Sequence, residues 1–183
     1  MRCCPLSVTI LFLCCCPVLG AQQRDRSAPR VVFNDDAQVL TEAPAEGATA
    51  FVREWLDREL AAVQFSTYVF LASTPDICTY DTQAGEIYGD RFGEDYRQGL
   101  ARGIRALQSE GTDALKVVCD HMHDHGKEVL AAIRMSDTHH SRITPDNPLC
   151  PLFAVEHPEF VIRQPDGRTN ETALDYSYPE VRS

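Results

Sequence analysis

The run Lys127-Glu128-Val129-Leu130-Ala131-Ala132-Ile133-Arg134-Met135-Ser136-Asp137-Thr138-His139-His140-Ser141 changes character halfway along. Its first half is apolar and follows a helix-ending glycine, Gly126, which is the pattern of a strand buried on both faces. Its second half offers Arg134, Asp137, His139 and His140, groups that can pair with carboxylates, hydrogen-bond hydroxyls, carry protons or ligate a metal. Parallel α/β proteins build sites in this way, because ligands bind beyond the carboxyl ends of their strands. The competing description is a strand that runs into an ordinary solvated loop. A second apolar segment, Val31-Val32-Phe33, ends in Asn34-Asp35-Asp36. A third precedes a loop carrying Tyr80 and Tyr88, aromatic rings suited to a binding platform.

Arg134 follows an apolar strand, so a guanidinium turned inward there would need a carboxylate to offset its desolvation. Asp36 and Asp137 are the candidate partners. The histidines offer other chemistry. In His121-Met122-His123-Asp124-His125, His121 and His125 fall four apart on one helix face, a metal-ligand spacing. That group ends a helix and lies at the amino end of the sheet, whereas His139 and His140 lie beyond its carboxyl end. The two sets therefore cannot share an ion, and the helix macrodipole already accounts for histidine near a helix C-terminus. No metal or cofactor is assigned. A metal-dependent hydrolase or deacetylase using Asp137, His139 and His140 with Asp35 is the alternative.

The elements that must hold these residues follow from periodicity. Between Gly47 and Gln64 the residues Phe51, Val52, Trp55, Leu56, Leu60 and Val63 recur at spacings of three and four, one face of an amphipathic helix. Ser66 to Leu71 is β-branched and aromatic and reads as a strand. A long irregular segment from Ala72 to about Gly93 comes next, a length that usually serves function. Tyr96, Leu100, Ile104 and Leu107 mark one more helix, and Leu115, Val118, Cys119 and Met122 another. Thr112 is the expected N-cap of the latter and Gly126 its stop. Strand, helix, strand, helix, strand specifies right-handed βαβ units and a parallel sheet. Near the end, Pro165-Asp166-Gly167 is a turn signal between two short strands, and Pro179 opens a helix.

Composition bounds the rest. Residues 1–20, with Arg2, an apolar run from Leu6 to Leu13 and the small-residue exit before Gly20 and Ala21, have the form of a secretory signal peptide. The expected location is therefore secreted or periplasmic. Residues 21–30 read as a disordered linker and residues 31–183 as one domain. With 17 Lys+Arg against 27 Asp+Glu, the charge of -10 opposes a nucleic-acid partner. No segment is apolar enough for a stable membrane span. Of the eight cysteines, Cys78, Cys119 and Cys150 lie beyond the signal. Cys119 falls on a helix's apolar face, and Cys78 with Cys150 is the disulfide candidate in an oxidising compartment.

The motifs together resemble a family. Phe33-Asn34-Asp35-Asp36, Thr67-Tyr68-Val69-Phe70, Gly111-Thr112-Asp113-Ala114-Leu115, His123-Asp124-His125-Gly126-Lys127-Glu128-Val129, Arg134-Met135-Ser136-Asp137-Thr138-His139, His157-Pro158-Glu159-Phe160 and Leu174-Asp175-Tyr176-Ser177-Tyr178-Pro179-Glu180-Val181-Arg182 look like the N-terminal part of bacterial exported glycoside-hydrolase-like TIM barrels. The resemblance implies an α/β fold containing about the first three βα units of a (β/α)8 barrel, with parallel strands. It also implies an oligo- or polysaccharide ligand bound by Asn34, Asp35, Asp36, Tyr80, Arg134, Asp137, His139 and His140. Hydrolysis of O-glycosidic bonds uses two carboxyl groups roughly 5 to 9.5 Å apart. The family pattern expects a fourth strand with an Asp-Gly-x-x-Leu-Asp type motif, which is not in this sequence, so no catalytic residue is assigned. A chain with little or no hydrolase activity is expected, with a non-catalytic carbohydrate-binding remnant as a further alternative.

Overall fold

The computed structural model describes residues 30–135 and 143–182. The expected signal peptide, most of the expected linker, and Asp137, His139 and His140 lie outside the described residues. In chain order the elements are β1 (Val32–Asp35), α1 (Val39–Glu42), α2 (Ala48–Ala62), β2 (Thr67–Thr74), β3 (Ile77–Cys78), β4 (Glu86–Ile87), α3 (Ala101–Ser109), α4 (Ala114–Asp124), β5 (Glu128–Ile133), α5 (Leu152–Glu156), β6 (Val161–Arg163), β7 (Thr169–Leu174) and α6 (Pro179–Arg182). Among the described residues no helix is long and apolar enough to cross a membrane.

The architecture is mixed α/β around a mostly parallel sheet. β2 is central, with β1 parallel on one side in the register Val32↔Thr67 and β5 parallel on the other in the register Thr67↔Glu128. The three strands therefore lie side by side in chain order, as short right-handed crossovers favour. β2 runs three residues further than its β-branched segment suggests. It then reverses through Pro75-Asp76 into β3, which pairs with it antiparallel and carries β4. Proline sets the first turn position, and Asp76 takes φ +61 at the second, the geometry of a type II turn. The segment expected to be irregular from Ala72 to Gly93 thus contains the end of β2, two short strands and a 3-10 turn at Asp90–Phe92.

One face of the sheet packs on helices. Tyr68 and Phe70 are fully buried with Val52 and Leu56 of α2, Leu107 of α3, and Val118 and Met122 of α4. Phe33 stacks on Tyr68 at 5.5 Å between ring centroids, and Phe65 tilts against both. The apolar face expected for α2 is present, although Phe51, Trp55 and Leu60 are only half-buried and Val63 leaves the helix in extended conformation. α3 meets α1 so closely that a Cβ on Gly103 would lie 2.4 Å from the Leu40 carbonyl oxygen, and only glycine fits there. The cap of α4 is Asp113 rather than Thr112, its carboxylate accepting from the Lys116 N–H at 2.8 Å.

β5 departs from its expected burial on both faces. Leu130 is 44% and Ile133 69% exposed, because among the described residues β5 pairs with β2 alone and its other edge is free. A second, smaller apolar cluster of Ala154, Val161 and Leu174 forms under the antiparallel β6–β7 hairpin that Pro165-Asp166-Gly167 connects. The expected Cys78–Cys150 bridge is not made: both are buried free thiols, and Cys119 is a half-buried one. Burial pushes all three thiols above their ordinary range, so they behave as unreactive apolar groups.

Candidate functional site

The carboxyl ends of β1, β2 and β5 open on one side into a cleft of about 170 Å³ lined by Asp36, Leu71, Thr74, Ile77, Thr79, Tyr88, Leu100, Arg134 and Leu149. Asp36 comes from the end of β1 and Arg134 from the end of β5. Their side chains meet across the tip of β2, a span of two strand spacings or roughly 9 to 10 Å that only a long side chain can bridge. The Arg134 Nη2 donates to Asp36 Oδ1 at 2.8 Å, and the Asn34 side-chain amide donates to the same oxygen at 3.3 Å. The carboxylate partner expected for Arg134 is therefore Asp36. The expectation of a buried pair is corrected, however, because the Asp36 side chain is 60% exposed and that of Arg134 29%. Such a pair ties the ends of β1 and β5 together across β2.

Neighbouring carboxylates of the same tip face opposite ways. Asp35 is only 8% exposed and points into the helix side of the sheet, where Tyr68 donates its hydroxyl to Asp35 Oδ2 at 2.7 Å. The Gln38 N–H approaches the other oxygen at 3.4 Å. Burial lifts the Asp35 carboxyl above its ordinary range, opposed by Tyr68 and the backbone donors. Side chains alternate along a strand, which sets these two carboxylates on opposite faces, and the turn that follows holds the fully buried Ala37 at φ +60, a strained conformation for a residue with a Cβ. Asp35 is thus a brace for the β1–α1 turn and does not line the cleft.

The cleft floor is more polar than its apolar lining suggests. Thr74 is 94% buried by its 6% exposure, lines the cleft, and its hydroxyl has no hydrogen-bond partner among the described residues. An unpartnered buried hydroxyl costs free energy that a ligand polar group can recover. Thr79 opposite is already satisfied, donating to the Leu71 and Ala72 carbonyls at 3.0 and 3.1 Å. Tyr88 forms one wall, but it is 7% exposed and its hydroxyl bonds Tyr96, with burial and that neighbour pushing its pKa up to about 12. It supplies an edge rather than a platform. Tyr80 does not line the cleft; its side chain hydrogen-bonds the Cys78 thiol.

Of the residues singled out in the sequence, Asp36 and Arg134 enter the cleft, Asn34 buttresses Asp36, and Asp35 and Tyr80 are turned to structural work. Sequence reasoning missed Thr74, Thr79, Ile77 and Leu149. Thr74 had a readable signal, since it is the last residue before Pro75 and hence sits at a strand end. Leu149 had none, because its chain returns to the cleft from beyond the sheet. That return is fixed by Arg91, whose guanidinium donates to the Cys150 carbonyl at 2.7 Å and to the Asn147 carbonyl, and pairs with Glu86 at 3.2 Å. In comparisons with known proteins the chain matches no family model and no curated protein.

Proposed function

We propose that the chain is an exported glycoside-hydrolase-like protein, that its sheet corresponds to the first three βα units of a (β/α)8 barrel, and that its cleft binds a neutral oligosaccharide without hydrolysing it. The observation that carries this reading is the meeting of Asp36, Arg134 and the unpartnered Thr74 hydroxyl at the carboxyl ends of three consecutive parallel strands. A carboxylate oxygen, guanidinium N–H groups and a buried hydroxyl, set beside Leu71, Ile77 and Leu100, match a sugar ring that carries hydroxyls on its rim and C–H groups on its faces. Chain-order strands also occur in one half of a dinucleotide-binding fold. There the first turn is glycine-rich and cradles phosphate, whereas here it is Asn34-Asp35-Asp36 and repels it.

Binding without turnover follows from the carboxylate count. Asp36 is the one carboxylate lining the cleft among the described residues, and Arg134 engages it. Hydrolysis needs a second carboxyl group across the scissile bond. The volume of 170 Å³ is below the roughly 300 to 1,000 Å³ of complete small-molecule sites, so the cleft grips one part of a longer glycan. The leader pattern of residues 1–20 supports export.

Calorimetric titration with a panel of neutral oligosaccharides tests the reading. At least one should bind, Arg134→Ala and Thr74→Val should each weaken it about tenfold or more, and no new reducing ends should appear. Failure of every glycan to bind, or binding indifferent to both substitutions, would overturn the site. Release of reducing ends by the wild-type chain alone would overturn the absence of turnover.

A further inference from the structure

At the opposite end of the sheet, on a surface the cleft does not use, α2 and α4 bring together Asp57, His121 and His125. One ligand-capable atom from each lies within 4.8 Å of the others. The His121 Nε2 and Asp57 Oδ1 are 2.8 Å apart, the His125 Nε2 and the same oxygen 3.7 Å, and the two imidazole centroids 4.6 Å. We propose that these three side chains form a Zn²⁺ site that clasps α2 to α4.

The orientation of His125 adds to proximity. Its Nδ1 lies 2.8 Å from the His121 carbonyl oxygen, which can only accept, so Nδ1 carries a proton and Nε2 is the nitrogen left to ligate. Nε2 faces the Asp57 carboxylate oxygen at 3.7 Å, a gap that a metal ion can fill in place of a proton. A backbone carbonyl holding one ring nitrogen while the other ligates is also the second shell that metal-bound histidines usually have. Four-coordinate Zn²⁺ at ~2.0 to 2.1 Å from each ligand places neighbouring ligand atoms roughly 3.3 Å apart. Reaching that geometry requires the shorter His–Asp57 gap to open and the longer to close, each by about half an ångström, and brings the two ring nitrogens together from within 4.8 Å of each other. The ion replaces the hydrogen shared by His121 and Asp57, and neutral His121 then carries its proton on Nδ1.

Two imidazole nitrogens and one carboxylate oxygen suit Zn²⁺ far better than Mg²⁺ or Ca²⁺, which require oxygen ligands. The fourth position falls to water. The His121 side chain is only 11% exposed, while His125 and Asp57 are open enough to admit the ion. The sequence alone attributes these histidines to the helix macrodipole and assigns no metal, because the third ligand comes from a different helix, 64 residues earlier than His121.

The test is titration of the full chain with ZnCl₂ by calorimetry, with CoCl₂ as a spectroscopic stand-in. One equivalent should bind and raise the thermal midpoint, and Co²⁺ should give the visible absorption of a four-coordinate site. Asp57→Asn and His125→Ala should each lower the affinity at least about tenfold, since even outer-shell changes cost about 10 to 100-fold. His123→Ala, on an exposed neighbouring position, should bind as the wild type does. Absence of Zn²⁺ binding, wild-type affinity retained in both ligand variants, or loss of binding in His123→Ala would overturn the proposal.

Discussion

Two adjacent aspartates show how far a residue's role depends on which way the chain turns beneath it. Asp35 and Asp36 are the same residue type, yet the alternation of side chains at the end of β1 sends one into the core and the other to the cleft. The motif and the opposition of its two members were legible, but which member faced the helices was not, because that depends on which side of the sheet they cover. The buried member makes a prediction with a definite sign. Burial raises the folded carboxyl of Asp35 above its unfolded range, so the folded state holds that proton over a window in which the unfolded state has released it. Stability contributed by this group therefore falls as pH rises from the ordinary carboxyl range through the folded pKa. The Tyr68 hydroxyl limits the penalty by donating to the carboxylate. Tyr68→Phe should cost about 1 to 3 kcal/mol at neutral pH, the usual loss on stranding a buried polar group. The loss should be smaller below about pH 3, under the ordinary carboxyl value of 3.8, where the group is protonated in both states. Urea unfolding at the two pH values reads this directly, and an equal loss at both would show that the hydroxyl does not serve Asp35.

At the scale of elements, the helix and strand order was legible because apolar periodicity is local, and the parallel sheet followed from it. What the local pattern could not show is how ends are satisfied from afar. The α2 helix starts at Gly47 without a capping side chain of its own. Instead the Glu110 carboxylate, just past α3, accepts from the Ala48 N–H at 2.7 Å and from the Thr49 N–H at 3.0 Å. A hydrogen bond from the Thr49 side chain, together with the Thr49, Ala48 and Gly47 backbone N–H groups, holds the Glu110 carboxyl below its ordinary range. The linkage here has the opposite sign to Asp35: the stabilisation is present above the unfolded carboxyl pKa and disappears as pH falls through the folded one. Glu110→Ala should cost about 1 kcal/mol at neutral pH, as lost N-caps do, and the gap from wild type should close in acid. Chemical denaturation across that range measures it. The burial of β5 was misread for a related reason. An apolar run specifies a strand that could be covered, but coverage depends on what packs beside it, and Leu130 and Ile133 have little described neighbouring structure.

At the scale of the whole molecule, the described residues form two apolar clusters of very different size. The larger unites β1, β2, α1, α2, α3 and α4, and the smaller holds Ala154, Val161 and Leu174 beneath the β6–β7 hairpin. Between them run polar ties: Arg91 to the Asn147 and Cys150 carbonyls, and the Tyr176 hydroxyl to the Met135 carbonyl. The hairpin was foreseeable from its turn, whereas its attachment was not, since backbone carbonyls as acceptors are indifferent to the residue that carries them. One wall of the cleft, Leu149, packs against the larger cluster, so the site is held by the sheet and its helices while the hairpin unit has little apolar burial of its own. Stability in such a molecule is not uniform, and the smaller cluster should open at lower free energy than the sheet. Leu174→Ala, removing a side chain that is 5% exposed, should strip hydrogen-exchange protection from the backbone amides of residues 161–174 while leaving those of 67–74 and 115–122 protected. Leu56→Ala, at the centre of the larger cluster, should instead lower protection in both regions, because a Leu→Ala cavity costs about 2 to 5 kcal/mol in a core that supports the rest. Uniform loss of protection in both variants would mean that the two clusters unfold as one unit.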